Sequence, residues 1–208
     1  MEARRYLVPA RVHRVEQELQ KSRFLTTAAP APTVEEARAF IARVREEFPD
    51  ATHNCWAYVA GPPGSTAQVG MSDDGEPHGT AGRPMLNALL HGVVGEVAVV
   101  VTRYFGGTLL GKGGLVRAYT GCVQQALESL PTLERVPKAR LAIEIEYASV
   151  DGLRRMLPAH EAELVSEEYA ATVGYQLLLP VTRLESFQKA LLDLTNGQAL
   201  LEVLDPGE

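Results

Sequence analysis

The sequence predicts an α+β protein of two domains, at residues 1–132 and 138–208. Strand and helix patterns are interspersed along the chain, and they restart after a segment bounded by Pro131 and Pro137. The charge balance changes at the same place. Residues 1–135 carry 14 acidic and 14 basic side chains, whereas residues 136–208 carry 12 acidic and 6 basic ones. The excess acid of the chain therefore belongs to the second domain, and the first is free to present a local basic surface.

The composition is that of an ordinary globular protein. Of the 208 residues, 46% are hydrophobic and 22% are charged. The two cysteines, Cys55 and Cys122, form neither a metal-binding pattern nor a disulfide framework. No apolar stretch is long enough for a membrane span, and the N-terminus lacks the apolar core of a signal peptide. We therefore expect a cytoplasmic protein without a membrane partner.

The first domain begins with two predicted strands and a helix. Arg4–Arg14 and Val15–Pro30 alternate only in part between apolar and polar residues, which favours strands. A helix is predicted to begin at Thr33, because Glu36 three residues later completes a capping box. The helix is predicted to end at Pro49.

The rest of this domain is predicted to hold a hairpin, a short helix, a buried strand and a long helix. Ala51–Gly61 alternates as a strand, and a Gly-Pro-Pro-Gly turn leads to a short strand that ends at Met71. Pro84 favours the first turn of a short helix. The valine-rich run Val97–Val101 is typical of a buried strand, and apolar residues at helical spacing predict a helix over Gly113–Leu130. The predicted order of the domain is β-β-α-β-β-α-β-α.

The segment Thr132–Val136 lies between two prolines and is predicted to be a linker. Beyond it the predicted order is βαββαβ, the ferredoxin-like plan. Strands are predicted at residues 141–145, 163–169, 173–179 and 200–204, and a helix at residues 150–157. The second helix is predicted to begin at a capping box that Thr182 forms with Glu185.

The segment Thr102–Tyr119, TRYFGGTLLGKGGLVRAY, is the main candidate for a binding site. It joins a buried strand to a helix through glycines, an arrangement that lets backbone N–H groups approach an anion at the positive start of a helix. Cations flank the glycines, and together they predict phosphate or nucleic-acid contacts. The predicted contact residues are Arg103, Gly106, Gly107, Lys112, Gly113, Gly114 and Arg117.

The same segment also has a purely structural interpretation. The glycines would then supply turns with positive φ and let the helix pack closely on the sheet. The spacing is not that of a Walker A loop, because Gly113 follows Lys112 where that loop needs serine or threonine. Arg103 would in that case pair internally with Glu76 or Asp74.

The acidic loop Ser72–Gly82, SDDGEPHGTAG, is a second candidate. Its carboxylates could bind Mg²⁺ or share a proton that a histidine moves, although the spacing is not that of an EF-hand. Alternatively its aspartates only form local turns and cap the helix at Pro84. We predict that the rim of a cleft opposite the glycines is formed by His53, Asp73, Asp74, Glu76, His78 and Tyr104. We assign no catalytic residue and expect no metal and no cofactor.

Two further groups of side chains have both a functional and a structural interpretation. His53, Asn54 and Cys55 could supply a nucleophile and a base, but Cys55 alternates onto the same face as Ala57 and Val59, which favours a buried thiol. The aromatic residues near the loops could stack bases or pack in the core. They are Trp56, Tyr58, Tyr104 and Phe105.

Three stretches of the chain resemble, in order and spacing, the motifs of the IMPACT/YigZ family. They are DATHNCWAY, SDDGEPHGTAGRPML and VVVTRYFGGTLLGKGGLVRAY, and they fall within residues 20–130. The segment after the linker resembles the smaller domain of the bacterial branch of this family. Eukaryotic members also carry an N-terminal RWD domain that binds a translational regulator. Because this chain starts directly at the shared domain, we do not expect that partner.

The resemblance implies a fold and a field of action. It implies a first domain like domain IV of elongation factor G and like a domain of a small-subunit ribosomal protein. It implies a second domain like the ferredoxin-fold domains of the same factor. Because both relatives work against ribosomal RNA, the resemblance also implies binding to nucleic acid or to the ribosome and modulation of translation.

The sequence thus supports three hypotheses about function. The first is a non-catalytic cytosolic protein that binds RNA or the ribosome. The second is a metal-assisted hydrolase that uses the acidic loop Asp73–Glu76. The third is a protein–protein adaptor whose acidic second domain meets a basic partner.

Overall fold

The computed structural model describes residues 5–207, which form two compact units. One unit is Tyr6–Arg135, and the other comprises residues 136–207 together with Arg5. Each unit has its own core of buried apolar side chains. The protein is a mixed α+β fold with three sheets among the described residues, and the predicted fold class is confirmed. Arg4, where the first predicted strand begins, lies outside the described residues.

The described residues form eleven strands and five α-helices, which turns and loops connect. The strands are β1 (Tyr6–Pro9), β2 (His13–Leu19), β3 (Ser22–Pro30), β4 (His53–Val59), β5 (Val69–Ser72), β6 (Val97–Tyr104), β7 (Thr132–Arg135), β8 (Lys138–Ile145), β9 (Glu163–Tyr169), β10 (Val173–Pro180) and β11 (Leu200–Asp205). The helices are α1 (Val34–Glu47), α2 (Gly82–Leu90), α3 (Gly111–Ser129), α4 (Val150–Met156) and α5 (Leu184–Thr195).

Strand β6 is the centre of the first unit. It is the middle strand of a five-stranded antiparallel sheet of order β2-β3-β6-β4-β5. Val99 and Val101 pack in the core that α2 and α3 cover, whereas Ala98 and Val100 pack in the core that α1 covers. Because both faces of β6 are buried, the strand is continuously apolar and does not alternate. The prediction of a buried strand here is confirmed.

Several local predictions for the first unit are also confirmed. The hydroxyl of Thr33 caps α1 and accepts a hydrogen bond from the N–H of Glu36 over 3.1 Å. Strands β4 and β5 form the predicted hairpin, and α2 contains Pro84 in its first turn. The elements from β2 to α3 run β-β-α-β-β-α-β-α, but β1 precedes them, so the predicted order of the whole domain lacks one strand.

The bounds of the first two predicted strands are wrong. The structure has three strands there, because β2 and β3 form a tight hairpin at Gln20 and Lys21. Both residues have positive φ, 47° and 66°, as in the two-residue turns that match the twist of a hairpin. Those turns usually contain asparagine or glycine, and here neither residue is present, so the sequence carried no turn signal.

The predicted linker is wrong as well. Thr132–Arg135 is β7, which pairs antiparallel with β1 from Tyr6 opposite Arg135 to Pro9 opposite Thr132. A four-residue segment between prolines carries too little pattern to indicate a strand whose partner lies over 120 residues away. The division between the two units falls after Arg135.

The second unit has the predicted order βαββαβ. Its four strands form an antiparallel sheet of order β11-β8-β10-β9, and side chains of α4 and α5 share a core with β8 and β10. The predicted capping box at Thr182 is wrong. Residues Val181–Arg183 form a short 3₁₀ turn, and α5 begins at Leu184 without a side-chain cap.

Within residues 5–207, no helix is both long and apolar enough to cross a membrane.

Candidate functional site

Helix α3 begins without a cap. It starts at Gly111, two residues before the predicted start, and neither a capping side chain nor an acidic residue lies in its first turn. In an α-helix the first N–H groups have no partner within the helix, here those of Gly111, Lys112 and Gly113. These amides carry the positive end of the helix dipole, equivalent to about half a charge. We call these three residues the start of α3.

Three of the glycines in this segment have structural reasons. A Cβ at Gly106 would lie 1.8 Å from the carbonyl oxygen of Lys21, so the backbones approach too closely for any side chain. Gly107 and Gly111 have φ of 84° and 69°, a region that other residues rarely adopt. The structural interpretation therefore explains Gly106, Gly107 and Gly111.

Gly113 and Gly114 are helical and differ from those three. A Cβ at Gly114 would lie 3.1 Å from the Cβ of Leu110, which is tight, whereas a Cβ at Gly113 would meet only Nη1 of Arg117, at 3.7 Å. Glycine is the least favourable helix residue apart from proline. Because residue 113 is glycine, no side chain at that position covers the amides at the start of α3.

Arg103 does not lie on the surface. Its Nη1 donates to Oε1 of Glu76 over 2.6 Å and its Nη2 to the hydroxyl of Ser22 over 3.3 Å, and the residue is 5% exposed. Two of its three donor nitrogens are therefore held by an internal ion pair and a hydroxyl, the alternative that the sequence left open, and a phosphate contact of Arg103 stays a prediction. Its Nε is buried without a hydrogen-bond partner within residues 5–207.

Glu76 is the centre of a buried polar cluster. The hydroxyl of Tyr119 donates to Oε1 of Glu76 over 2.8 Å, and the thiol of Cys55 lies 3.4 Å from the same hydroxyl. Burial raises the pKa of the Cys55 thiol and of the Tyr119 hydroxyl, and the neighbouring acidic groups raise both further. The interpretation of Cys55 as a buried, unreactive thiol is consistent with this environment.

Asp73 organises the acidic loop. Its carboxylate accepts backbone N–H groups of Gly79 at 2.8 Å, Ala81 at 3.0 Å and Gly82 at 2.8 Å, where α2 begins. Burial alone would raise the pKa of this carboxyl, but the three donors outweigh burial and hold the pKa below its usual value. The interpretation that this aspartate caps the Pro84 helix is confirmed.

The other residues of the predicted rim are also engaged. Asp74 forms an ion pair with Arg45 and accepts the backbone N–H of Asn54 over 2.7 Å. His53 donates from Nδ1 to the carbonyl of Asp74 over 2.8 Å. His78 is fully exposed, 3.8 Å from Asp73, and the Tyr104 hydroxyl donates to Asp50.

No group of three or more His, Cys, Asp or Glu side chains within residues 5–207 is arranged to hold a metal ion. The hydrogen-bond donors around the acidic loop explain why its carboxylates form no such group. The carboxylates of Asp73, Asp74 and Glu76 already accept two to three hydrogen bonds each, from backbone amides, arginines or Tyr119. A metal would have to displace those donors.

A cleft of about 410 Å³ opens at the start of α3. It brings together four predicted site residues, two from the loop segment and two from the rim: Arg103, Lys112, His53 and Glu76. Thr52 and Phe105 also line it, and its other walls are apolar, formed by Pro77, Leu109, Leu110 and Leu115. We call this the α3 cleft. Asp73, Asp74, His78, Tyr104 and Arg117 do not line it.

Unpaired cations lie around the glycine segment. Lys112 and Arg117 are exposed and have no acidic partner within 4 Å in the described part of the chain. Lys21 shares this property, and its backbone contacts Gly106. Lys21 was not predicted as a site residue, because the hairpin turn that carries it has no signal in the sequence and its neighbour in space is 85 residues away in the chain.

Two apolar side chains at the α3 cleft are unusually exposed. Phe105 is 45% exposed and Leu109 is 85% exposed. Phe105 was predicted only as an aromatic beside the loop, and Leu109 was not predicted as a site residue. For both residues, an apolar side chain within a glycine-rich loop was the sequence signal that could have indicated a site residue.

Some of the excess acidic side chains of the second unit lie on its sheet. Glu144, Glu168 and Glu202 line a second cavity, of about 610 Å³, together with Ala142, Gly174 and Gln176. The adaptor hypothesis stays a prediction.

The chain was compared with known proteins. Residues 20–127 match the family described as "Impact N-terminal domain", and residues 143–198 match a "Domain of unknown function" family, DUF1949. The "IMPACT family member YigZ" of Escherichia coli (strain K12) is 42% identical over 200 residues, 96% of this chain and 98% of that protein. An "IMPACT family member" of Haemophilus influenzae is 40% identical over 203 residues, 98% of each chain.

A solved structure is also similar. It is described as the crystal structure of an hypothetical protein, and it is 42% identical to this chain with a TM-score of 0.70. The similarity covers 99% of this chain and 98% of that one. The two-unit architecture is therefore shared along the full length of a solved relative.

Proposed function

This chain belongs to the IMPACT family, and from that premise and the geometry at the start of α3 we propose that it binds RNA, free or within the ribosome. The role that we propose for this binding is modulation of translation, which the family resemblance implies. The observation that carries the proposal is an uncapped, glycine-rich helix start flanked by Lys112 and Arg117, both exposed and without acidic partners in the described residues.

The arrangement suits a phosphate backbone. Free amides at a helix start bind anions, and unpaired lysine and arginine side chains neutralise phosphates and release counterions. Because Gly113 has no side chain, a phosphate can approach the amides without a steric barrier at that position. Contacts of this kind position a nucleic acid and carry no base sequence preference.

The charge distribution supports a local interface. The first 135 residues have equal numbers of acidic and basic side chains, and ion pairs such as Glu47 with Arg14 and Asp74 with Arg45 remove one of each, so a local surface depends on where the unpaired charges lie. Lys21, Lys112 and Arg117 are among the cations without an ion-pair partner within residues 5–207, and they lie at the glycine segment. A neutral unit can thus present a basic surface at the glycine segment.

The hydrolase hypothesis has less support. The carboxylates of Asp73 and Glu76 are held by strong internal donors, and Cys55 is a buried thiol whose pKa is raised. None of these groups is presented as a base, a nucleophile or an open ligand set toward the α3 cleft.

We also propose that the protein acts in the cytoplasm, where translation occurs. Both cysteines are buried free thiols, as expected of a protein that matures under reducing conditions.

A single position tests the proposed interface. Gly113→Glu places a carboxylate among the amides at the start of α3 and next to Arg117, and both effects repel phosphate. Binding of a single-stranded RNA, measured by fluorescence anisotropy, is expected to weaken about tenfold or more. Gly113→Gln is the uncharged control of the same size, and it should lose several-fold less affinity than Gly113→Glu does.

Both variants replace a helical glycine, so their free energy of unfolding is expected to equal that of the wild type or to exceed it by up to about 1 kcal/mol. Loss of binding therefore cannot result from unfolding. A folded Gly113→Glu variant that binds RNA like the wild type would refute the interface.

A further inference from the structure

We propose that the α3 cleft binds one terminal nucleotide of an RNA strand, with its phosphomonoester at the start of α3 and its base against Phe105. This inference rests on the proposed function and gives it a specific ligand: a strand end that carries a phosphate. The phosphate contacts of Arg117 and Lys21 outside the cleft would serve the rest of the strand.

The size of the cleft favours a single nucleotide. Its volume of about 410 Å³ lies within the range of about 300–1,000 Å³ that is usual for small-molecule sites. It is bounded by Thr52, which precedes β4, by the loop residue Pro77 and by the start of α3. A base that is paired or stacked within a duplex cannot enter such a site, so the end must be single-stranded.

One end of the cleft is built for an anion. Lys112 lines it and contributes a free amide and an ammonium group. Arg103 also lines it, and the buried Nε of Arg103 lacks an acceptor within the described residues. A buried donor without an acceptor is rare in folded proteins. The helix start and the guanidinium nitrogen are independent observations: the free amides lie at the cleft, and Nε is a donor of a cleft-lining residue that lacks an acceptor.

A phosphomonoester matches this end better than a carboxylate. Arginine usually binds a carboxylate through two parallel N–H groups, but Nη1 and Nη2 of Arg103 are already occupied by Glu76 and Ser22. A terminal phosphate carries about −1.5 to −2 charges near neutral pH, whereas an internal phosphodiester or a carboxylate carries one. The helix dipole and Lys112 therefore favour the terminal phosphate.

The other end of the cleft is apolar and accepts a base. Phe105 offers an exposed ring, held in place because its backbone N–H donates to Thr52 and because Arg103 lies 5.5 Å from the ring centroid on one side. Leu109 is exposed beside it. Bases stack on aromatic rings whatever their identity, which fits a site without a base-specific hydrogen-bonding group in its apolar wall.

The test uses four forms of one unstructured oligouridylate: with a 5′-phosphate, with a 3′-phosphate, with hydroxyls at both ends, and as a circle without ends. Affinities for the full-length protein are measured by anisotropy at constant salt. One of the two phosphorylated forms is expected to bind about tenfold more tightly than the circle and the hydroxyl form. The form that binds more tightly shows whether the cleft takes the 5′ or the 3′ end. Equal affinity for all four forms would overturn the inference while leaving the proposed function intact. Absence of binding to all four would overturn both.

Variants locate the effect. Phe105→Leu keeps an apolar side chain but removes the aromatic face, and it should bring the ratio of the affinities for the phosphorylated strand and the circle to about one. Leu109→Glu places a charge at the cleft and should have the same effect. The control is Tyr147→Leu, an exposed aromatic of the second unit, which should retain the gain. Retention of the gain in both cleft variants, each folded by circular dichroism, would place the terminal nucleotide elsewhere.

A competition assay distinguishes a terminal nucleotide from a peptide C-terminus, the other anionic group that could bind in the cleft. Uridine monophosphate is expected to compete for the phosphorylated strand, and a tripeptide with a free C-terminal carboxylate is not. More effective competition by the peptide would overturn the inference in favour of a peptide ligand.

Discussion

The guanidinium of Arg103 donates to the carboxylate of Glu76 over 2.6 Å, and the two side chains are 6% and 3% exposed. The pair joins the central strand β6 to the acidic loop, so the two segments that the sequence marked as candidate sites are fixed to each other by one buried ion pair. This contact explains why an arginine beside a glycine loop has a structural role, and it forms the floor of the α3 cleft.

The first prediction concerns this pair. Arg103→Met leaves the Glu76 carboxylate buried without its partner, and breaking a buried pair in this way is expected to lower the free energy of unfolding by about 3–5 kcal/mol. Urea denaturation measures it. Arg23→Met is the matched control, because Arg23 pairs with Glu16 on the surface, and it should change stability by less than about 1 kcal/mol. Similar small losses in both variants would show that the buried pair contributes little.

The second prediction concerns Asp73. The pKa of its carboxyl lies below the usual value because three backbone N–H groups bind the ionised form. Asp73→Asn is therefore expected to destabilise the protein by about 1–3 kcal/mol at pH 7. The carboxylate contributes its full stabilisation above the unfolded-state pKa of about 3.9, and the contribution is lost as pH falls through the lower folded-state value.

Urea denaturation of wild type and variant between pH 3 and pH 7 tests the sign of that effect. The difference between the two proteins should be constant above about pH 5 and should shrink below about pH 4. Asp193→Asn, at an exposed position of α5, should show no such dependence. A difference that grows as pH falls would contradict the proposed role of the carboxylate.

The third prediction concerns the boundary between the units. A fragment of residues 1–135 retains β7 opposite β1, whereas a fragment of residues 1–131 leaves β1 without its partner. We expect both to fold around the five-stranded sheet, and the longer one to have the higher melting temperature. Equal melting temperatures would mean that β7 does not contribute to the first unit, as the predicted linker implied.

These cases show what sequence patterns could reveal. The buried strand Val97–Val101, the cap at Thr33 and the order βαββαβ each follow from local signals: apolar run, capping residue and alternation. They were predicted because neighbours in the chain determine them. The family motifs located the candidate site for the same reason, since they are continuous stretches.

What the sequence could not reveal depends on partners distant in the chain. Arg103 pairs with a residue 27 positions away, and β7 pairs with β1 at the other end of its unit. The Gln20–Lys21 turn adopts positive φ without glycine, because the pairing of β2 with β3 imposes it. Lys21 was therefore missed as a neighbour of the site, and the sequence did not decide between a free Arg103 and one paired with Glu76. Charge alone did not show which cations are free.

The central claim is that Lys112 and Arg117 contact the phosphates of RNA, and the salt dependence of binding tests it most directly. Each lost phosphate contact should reduce the slope of log affinity against log salt by about 0.7 for a single strand. The control is the double variant Arg155→Ala with Lys189→Ala, two exposed cations of the second unit.

The measurement compares wild type, control and the double variant Lys112→Ala with Arg117→Ala, over a range of salt concentrations and with one single-stranded RNA. We predict that the Lys112/Arg117 variant binds more weakly and that its slope is flatter by about 1.4, while the control follows the wild type. Equal slopes for all three folded proteins would contradict the claim and would leave the start of α3 with a structural role only.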